Sequence, residues 1–149
     1  MTTFEYKNSC NKVSQVVVQL LGEGERKPSD TKTSKTTKTR FQYDGKKCNL
    51  VSADTSDGQK VKIAYDNLGR ISQMEDQTKK LVKIKYEGKF GKPSYVTRVG
   101  LGTIRVTYRP DGEIQKVESN EGPTVAVQVA NIFNNLLQII EPATNEAPL

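Results

Sequence analysis

The sequence contains no histidine, no tryptophan and only two cysteines in 149 residues. Without histidine the chain lacks the usual general base and the Ser-His and Cys-His pairs of common nucleophilic enzymes. Two cysteines without histidine are too few ligands for a typical zinc site. No run of about 18 apolar residues occurs, which argues against a membrane-spanning helix. These absences favour a non-enzymatic protein with no metal, cofactor or membrane span.

Carboxylates are the remaining route to acid and base chemistry, since a glycosidase needs two of them facing each other. Four aspartates fall where turns are predicted, which gives each a structural explanation: Asp44, Asp57, Asp66 and Asp111. No catalytic residue is therefore predicted.

The charge balance is basic, with 23 Lys and Arg against 17 Asp and Glu and a net charge of +6. This favours anionic partners such as nucleic acid or an acidic envelope glycan, without choosing among them. A chain of this length is expected to form a single domain over residues 1–149.

One stretch, residues 61–70, combines a strand, a turn and the start of a return strand. Val61, Ile63 and Tyr65 alternate with Lys62 and Ala64, which is the period of a strand that buries one face. The following D-N-L-G supplies turn chemistry, because Asp and Asn bond nearby backbone and Gly accepts positive φ. The stretch therefore predicts a β-hairpin.

The same pattern recurs along the chain. Tyrosines that end an alternating strand and precede a turn lie 22, 21 and 22 residues apart, at Tyr43, Tyr65, Tyr86 and Tyr108. A further copy is indicated because F-E-Y-K-N-S-C-N-K-V-S (residues 4–14) matches F-Q-Y-D-G-K-K-C-N-L-V-S (residues 41–52) with one residue added in the turn. The pattern predicts five hairpins, the first over residues 2–21 and the others over residues 39–119.

Residues 22–38 separate the first hairpin from the rest. They are rich in Gly, Glu, Lys, Thr and Ser and offer no large apolar side chain to bury, so a mobile loop is expected. Alternatively, residues 35–43 form a strand that pairs with residues 16–21. The cations of the segment would suit a basic arm, but a tolerated insertion is the simpler interpretation.

The period changes after Gly122. Apolar residues recur at helical spacing between Val125 and Ile140, and Pro123 suits a first helical turn. A helix over residues 123–141 is predicted, although residues 125–129 could instead form a strand because β-branched residues dominate there. Pro142 is expected to end the helix and to leave residues 142–149 as a loose tail.

The predicted fold class is mainly β with one C-terminal helix. Five hairpins in series form an antiparallel meander, and one apolar sheet face needs a cover. The amphipathic helix is expected to pack across the concave inner face of the twisted sheet. The residues expected on that face are Phe41, Tyr43, Ile63, Tyr65, Ile84, Tyr86, Val106 and Tyr108. Their shared parity favours core packing of the tyrosines over a carbohydrate-stacking row.

Residues 65–70, Y-D-N-L-G-R, resemble the Y-D-x-x-G-R signature of YD repeats, also called RHS repeats. The other units are degenerate, with Glu87 or Arg109 in place of the aspartate and no arginine in the expected register. The resemblance implies β-hairpins in a spiralling sheet of a secreted or surface protein, where such repeats enclose a toxin or present a binding surface. Five units are too few for a closed shell.

The signature residues Tyr65, Asp66, Gly69 and Arg70 are expected to have structural roles. The same is expected of the tyrosines that repeat Tyr65 in the other units, which are Tyr43, Tyr86 and Tyr108. Arg70 is expected to bond a carbonyl or carboxylate of a neighbouring turn. Cys10 and Cys48 occupy matching positions in the first two hairpins, which predicts a disulfide and an oxidising compartment. Two buried thiols are the alternative.

The sheet face opposite the tyrosines is predicted to carry a ladder of cations at Arg40, Lys62, Lys83, Lys85 and Arg105. One interpretation is an anion-binding surface, and the other is a solvated face whose lysines discourage aggregation. No aromatic residue is expected among them to stack bases, which weakens a nucleic-acid role.

The function that these patterns favour is a non-enzymatic repeat module, a structural or surface-interaction domain of an exported, bacterial-type extracytoplasmic protein. Its partner would be a protein or glycan at a cell surface. The alternative is a polyanion-binding protein that uses the basic face to hold an acidic glycan or nucleic acid. A third interpretation is a fragment of a longer repeat protein.

Overall fold

The computed structural model describes residues 2–21, 34–88, 90–144 and 149. Within these residues, ten antiparallel strands form one sheet whose order follows the chain. The strands are β1 Thr2–Glu5, β2 Gln15–Leu21, β3 Ser34–Tyr43, β4 Leu50–Thr55, β5 Lys60–Tyr65, β6 Ile71–Asp76, β7 Leu81–Lys85, β8 Tyr95–Arg98, β9 Gly102–Tyr108 and β10 Ile114–Ser119. A helix, α1 Pro123–Thr144, follows. The prediction of a mainly β meander with one C-terminal helix is confirmed.

The predicted loop over residues 22–38 is wrong at its C-terminal end. Residues 22–33 lie outside the described residues, but β3 already begins at Ser34 and pairs with β2 from Leu21↔Ser34 to Gln15↔Arg40. Several residues at this end of β3 are β-branched threonines, which suit an extended backbone once a partner strand is present. The alternative pairing of residues 35–43 with the first return strand is therefore the correct one.

The connections between strands lie at two opposite ends of the sheet, which we call the tyrosine end and the connecting end. At the tyrosine end lie the described residues between the two strands of each hairpin: 6–14, 44–49, 66–70, 86–88 with 90–94, and 109–113. At the connecting end, residues 56–59, 77–80 and 99–101 lead from one hairpin to the next. The two ends hold neighbouring hairpins together by different contacts.

The pairing register shifts beside three of the repeated tyrosines. Tyr43, Tyr65 and Tyr108 each pair with the first residue of the return strand. In a regular ladder the residue before each tyrosine would pair with the second residue of that strand, but it pairs with the third. One extra residue on the return strand is accommodated there as a β-bulge, which bends the strand and re-aims nearby side chains. The hairpins therefore repeat in backbone geometry as well as in sequence.

The core lies between the inner sheet face and α1, which contacts β3, β4, β5, β8, β9 and β10. Alternate strand residues such as Phe41, Ile63, Ile84 and Val106 are buried there. The helix buries Ala126, Val129, Phe133, Leu136, Leu137 and Ile140. Residues 125–129 are helical, which settles the alternative in favour of the helix.

The predicted end of the helix at Pro142 is wrong, because α1 continues to Thr144. Pro142 lacks the N–H that would bond the carbonyl of Gln138. Because Gln138 lies on the exposed side of the helix, losing this one bond does not leave a buried carbonyl without a partner. The loose tail is also corrected in part. Leu149 donates its N–H to Asn134 Oδ1 at 2.7 Å and accepts from Asn134 Nδ2 at 3.1 Å. Residues 145–148 lie outside the described residues.

No helix among the described residues combines the length and the apolar character that a membrane crossing requires.

Candidate functional site

The turn at residues 66–70 shows how the Y-D-x-x-G-R residues act together. Asp66 Oδ1 accepts the backbone N–H groups of Leu68 and Arg70, each at 2.9 Å, and Asp66 Oδ2 accepts Arg70 Nε at 2.8 Å. The bond from the Arg70 backbone is the largest influence that holds the pKa of Asp66 below its ordinary value. Gly69 has a φ of 78°, a conformation that side chains disfavour. The aspartate thus closes the turn and orients the arginine.

Arg70 connects this turn to the next hairpin. Its guanidinium carbon lies 4.5 Å from the centre of the Tyr86 ring, and the Tyr86 hydroxyl donates to the carbonyl of Ile71 at 2.8 Å. A cation over an aromatic face is attracted by the ring quadrupole. The carboxylate that Arg70 bonds therefore belongs to its own turn, and its contact with the neighbouring hairpin is an aromatic ring.

The tyrosine hydroxyl bond recurs at every described boundary between hairpins, and we call it the tyrosine tether. Each hydroxyl donates to a carbonyl at the first residue of the preceding return strand or two residues before it: Tyr43 to Val13 at 2.6 Å, Tyr65 to Leu50 at 2.8 Å, Tyr86 to Ile71 at 2.8 Å and Tyr108 to Pro93 at 2.6 Å. All four rings are half-buried and pack against the core. Burial raises the pKa of Tyr43 to about 12 and also raises that of Tyr108.

Lysines occupy the place of Arg70 at two other boundaries. Lys12 Nζ lies 5.7 Å from the centre of the Tyr43 ring, and Lys92 Nζ lies 5.7 Å from that of Tyr108. Like Arg70, each cation directly precedes the residue whose carbonyl accepts the tether. Both turns are nine residues long and the turn of Arg70 is five, so each lysine lies three residues before its return strand whereas Arg70 lies one residue before its own. The fixed spacing of the Y-D-x-x-G-R signature therefore does not reach them.

The predicted disulfide is confirmed. Cys10 and Cys48 are bonded, with their Cα atoms 5.6 Å apart. The bond joins the first two hairpins at the tyrosine end, and Lys12 Nζ donates to the Cys48 carbonyl at 2.6 Å beside it. The first boundary therefore has a covalent link in addition to its tyrosine tether.

A buried ion pair at the connecting end was not predicted from the sequence. Arg98 is 8% exposed, and its Nη2 lies 2.5 Å from Asp76 Oδ2. Burial raises the pKa of Asp76, but hydrogen bonds from Thr78, Arg98 and Lys80 outweigh this effect and hold the pKa below its ordinary value. Arg98 Nη1 is buried with no hydrogen-bond partner among the described residues. The signal was available in strand parity, because Arg98 shares the inward face of Val96.

All five predicted ladder cations lie exposed on the outer sheet face: Arg40, Lys62, Lys83, Lys85 and Arg105. They do not form an uninterrupted row. In the strand register Arg40 is opposite Asp54, Lys62 is opposite Glu75 and Arg105 is opposite Glu118. Opposite charges on paired strands attract each other, so these carboxylates divide the predicted ladder.

The outer face also carries an aromatic residue, which corrects the expectation of none. In β8, Val96 and Arg98 point inward and are buried, whereas Tyr95 and Thr97 lie on the outer face. The guanidinium carbon of Arg105 lies 6.0 Å from the centre of the Tyr95 ring. The signal was available in strand parity, because Tyr95 alternates with the buried Val96 and shares the outward face of Thr97.

Lys83, Lys85 and Tyr95 line an open groove of about 660 Å³ on this face. The rest of its lining comes from Ser72, Gln73, Ile84, Glu87, Thr97 and Thr103. Within the described ranges, no three His, Cys, Asp or Glu residues are grouped so that they could hold a metal ion. The groove therefore offers two cations, one carboxylate, hydroxyls, an amide and one aromatic ring.

These observations define an antiparallel β-hairpin repeat protein with a helix over one sheet face and a mixed basic groove on the other. No family model and no curated protein matches the chain. A solved structure, "Structure of Photorhabdus luminescens Tc holotoxin pore, Mutation TccC3-D651A", is similar at 15% identity and a TM-score of 0.35. The match covers 80% of this chain and 7% of that one. A similarity this low carries no argument about function.

Proposed function

We propose that the chain is a non-catalytic module of the YD-repeat (RHS-repeat) type, a structural or surface-interaction domain of an exported protein. The observation that carries this proposal is the contact network of residues 65–70 with the next hairpin. Asp66 closes the turn, Arg70 bonds Asp66, and the same arginine lies over Tyr86. A shared signature is expected to persist where its residues depend on one another in this way.

The turn carboxylates support the non-catalytic part of the proposal. Asp44 Oδ1 accepts the backbone N–H groups of Lys46, Lys47 and Cys48, and Asp111 Oδ1 accepts that of Glu113. The bond from Lys47 is the largest influence that lowers the pKa of Asp44. A carboxylate held ionised in a turn is poorly suited to act as a general acid at neutral pH.

The disulfide supports an extracytoplasmic setting, because such bonds persist in oxidising compartments and are rare in reducing ones. The experiment is to quench cells that make the native protein with acid, alkylate free thiols with a mass-tagging maleimide, and compare the cytoplasmic, envelope and secreted fractions. The proposal predicts an envelope or secreted protein with no tagged cysteine under non-reducing conditions. A cytoplasmic protein with two tagged cysteines would contradict it.

Polyanion binding is a second candidate function, favoured by the groove that Lys83, Lys85 and Tyr95 line beside Arg105. Retention on immobilised heparin across a salt series tests it, because counterion release makes polyanion binding weaken steeply as salt rises. The candidate predicts retention at about 0.15 M salt that falls on further addition. A protein that passes through the column at that salt would exclude it.

A further inference from the structure

The outer groove is organised around Tyr95 in a cross-strand row. Lys85, Tyr95 and Arg105 are successive register partners on β7, β8 and β9. Neighbouring strands lie about 4.8 Å apart, so the Cα atoms of the two cations are separated by roughly 10 Å with the aromatic ring between them. This is the one row of the described outer face in which cations flank an aromatic side chain.

A second row runs parallel to the first, two residues along each strand. Gln73, Lys83, Thr97 and Thr103 follow one another across β6, β7, β8 and β9. The hydroxyls of Thr97 and Thr103 lie 2.8 Å apart and bond each other. Each hydroxyl still has capacity to bond a ligand, since it combines one donor with two lone pairs. The second row therefore adds neutral polar groups beside a third cation.

The charged groups of this site are available. Lys85 Nζ lies 3.8 Å from Glu87 Oε1, and both side chains are largely exposed. Surface pairs of this kind contribute little free energy, so an anionic ligand replaces them at small cost. Tyr95 also lines the two neighbouring depressions, of about 230 and 400 Å³. The aromatic ring thus lies where these three concave parts meet.

A sugar chain that carries carboxylates matches these groups. The apolar face of a sugar ring packs on an aromatic ring, and Arg and Lys bond the carboxylates of the adjoining sugars. Hydroxyl groups of the sugars can bond the amide of Gln73 and the hydroxyls of the two threonines. The cations on either side of Tyr95 fit anionic groups that are spaced along a chain.

Nucleic acid fits the same surface less well. Single strands are usually held by several aromatic side chains that stack successive bases, and the described strands place only Tyr95 on this face. Duplex DNA carries one negative charge per ~1.7 Å of axis. Glu75, Glu87 and Glu118 lie among or beside the cations and would repel so dense a row of phosphates.

We infer that the groove around Tyr95 binds an acidic polysaccharide, with Lys85 and Arg105 holding carboxylates on either side of a sugar ring packed on Tyr95. This inference rests on the second candidate function, polyanion binding, and gives it a ligand class and a site. Arg105 lines the two neighbouring depressions that also meet at Tyr95, whereas Arg40 and Lys62 lie on the same face and line none of the three, so they serve as internal controls.

Isothermal titration of the disulfide-intact chain with a short oligogalacturonate tests the inference. Arg105→Gln is expected to weaken binding about tenfold, as the loss of one charge-assisted hydrogen bond does. Tyr95→Ala is expected to weaken it by a similar factor, about tenfold, through loss of the packing surface. The matched control Lys62→Gln removes the same charge from the same face and is expected to change affinity by less than about twofold. Unchanged thermal unfolding midpoints would show that each variant is folded.

Three results would overturn the inference. The wild-type chain could fail to bind the oligogalacturonate, the Lys62→Gln control could weaken binding as much as Arg105→Gln, or single-stranded DNA could bind more tightly with the same dependence on Tyr95. If heparin retains the wild-type chain, and Arg105→Gln and Tyr95→Ala are retained equally well, polyanion binding would stand and only its assignment to this groove would be wrong. Loss of heparin retention would remove both.

Discussion

The third and fourth hairpins are joined at both ends of their strands, and the two joints differ. At the tyrosine end, Arg70 lies over Tyr86, whose hydroxyl is tethered to Ile71. At the connecting end, Arg98 reaches from β8 to Asp76 on β6 as a buried ion pair. The first joint is built from half-exposed groups and has counterparts along the chain. The second is buried, and it is the one pair of its kind among the described salt bridges.

The difference shows why one joint is visible as a sequence repeat and the other is not. A hydroxyl tether contributes about 1 kcal/mol and adds to the strand pairing at every described boundary, so its tyrosine recurs in the sequence. Removing one partner of a buried ion pair costs roughly 3–5 kcal/mol because the other charge remains buried. Among the described residues, the connecting end carries one buried ion pair, whereas the tyrosine end carries a similar hydroxyl bond at each boundary.

The largest effect is expected at the connecting end. Asp76→Ala leaves the buried charge of Arg98 without its carboxylate and should lower the free energy of unfolding in urea by about 4 kcal/mol. Glu75→Ala, which removes the adjacent carboxylate on the outer face, is the control and should cost less than about 0.5 kcal/mol. The double variant Asp76→Ala/Arg98→Met should recover part of the loss. Equal costs for the Asp76 and Glu75 variants would contradict the account.

The covalent link at the first boundary is expected to rank second. Replacing both cysteines with serine removes the cross-link between residues 38 apart in the sequence. The free energy of unfolding should fall by about 3 kcal/mol, mainly because the unfolded chain gains freedom. Urea unfolding of the variant against the oxidised wild type measures the difference. A change below about 1 kcal/mol would contradict a stabilising role of the covalent link at this boundary.

A single tether should have a smaller effect. Tyr86→Phe keeps the ring under Arg70 but removes the donor to the Ile71 carbonyl, and it should cost about 1 kcal/mol. Tyr95→Phe is the matched control, because that tyrosine lies on the outer face and makes no tether. It should cost less than about 0.3 kcal/mol in the same urea experiment. Similar costs for the two variants would remove the special role of the tether.

Alkaline pH should weaken the tyrosine end by a still smaller amount. The pKa of Tyr43 is raised from 10.0 to about 12, so the folded state holds the proton that the unfolded state releases. The stabilisation is complete below pH 10 and is lost as the pH rises toward 12. Because the ring is half-exposed, solvent screening keeps the effect below that of losing a tether. Urea unfolding across this pH range should show a shallower decline for Tyr43→Phe, and parallel declines would contradict the assignment.

The sequence predicts those parts of the fold that depend on local and repeated patterns. The four tyrosines each follow an alternating strand and precede a turn, so spacing alone places them on the inner face. The buried stripe of Val129, Phe133 and Ile140 follows from helical periodicity. The matching positions of Cys10 and Cys48 predict their bond because consecutive hairpins lie side by side.

The remaining features depend on contacts between residues that are distant in the sequence or on the position of a residue within its helix or strand. The ion pair of Arg98 and Asp76 joins residues 22 apart on strands that are not neighbours, so no motif marks it. Pro142 stays within the helix because the one backbone hydrogen bond that it removes lies in the last turn, on the exposed side of the helix. The groove combines residues of four strands, so it depends on the register between β6, β7, β8 and β9, which no single stretch of sequence specifies.

The central claim is that the signature residues of one hairpin act on the tyrosine of the next. A double-mutant cycle on Arg70→Gln and Tyr86→Leu, measured as free energies of unfolding in urea, tests it directly. The account predicts a favourable coupling energy of about 0.5–1 kcal/mol between the two residues. Additive effects, with a coupling below about 0.3 kcal/mol, would show that the arginine and the ring stabilise the sheet independently and would contradict the claim.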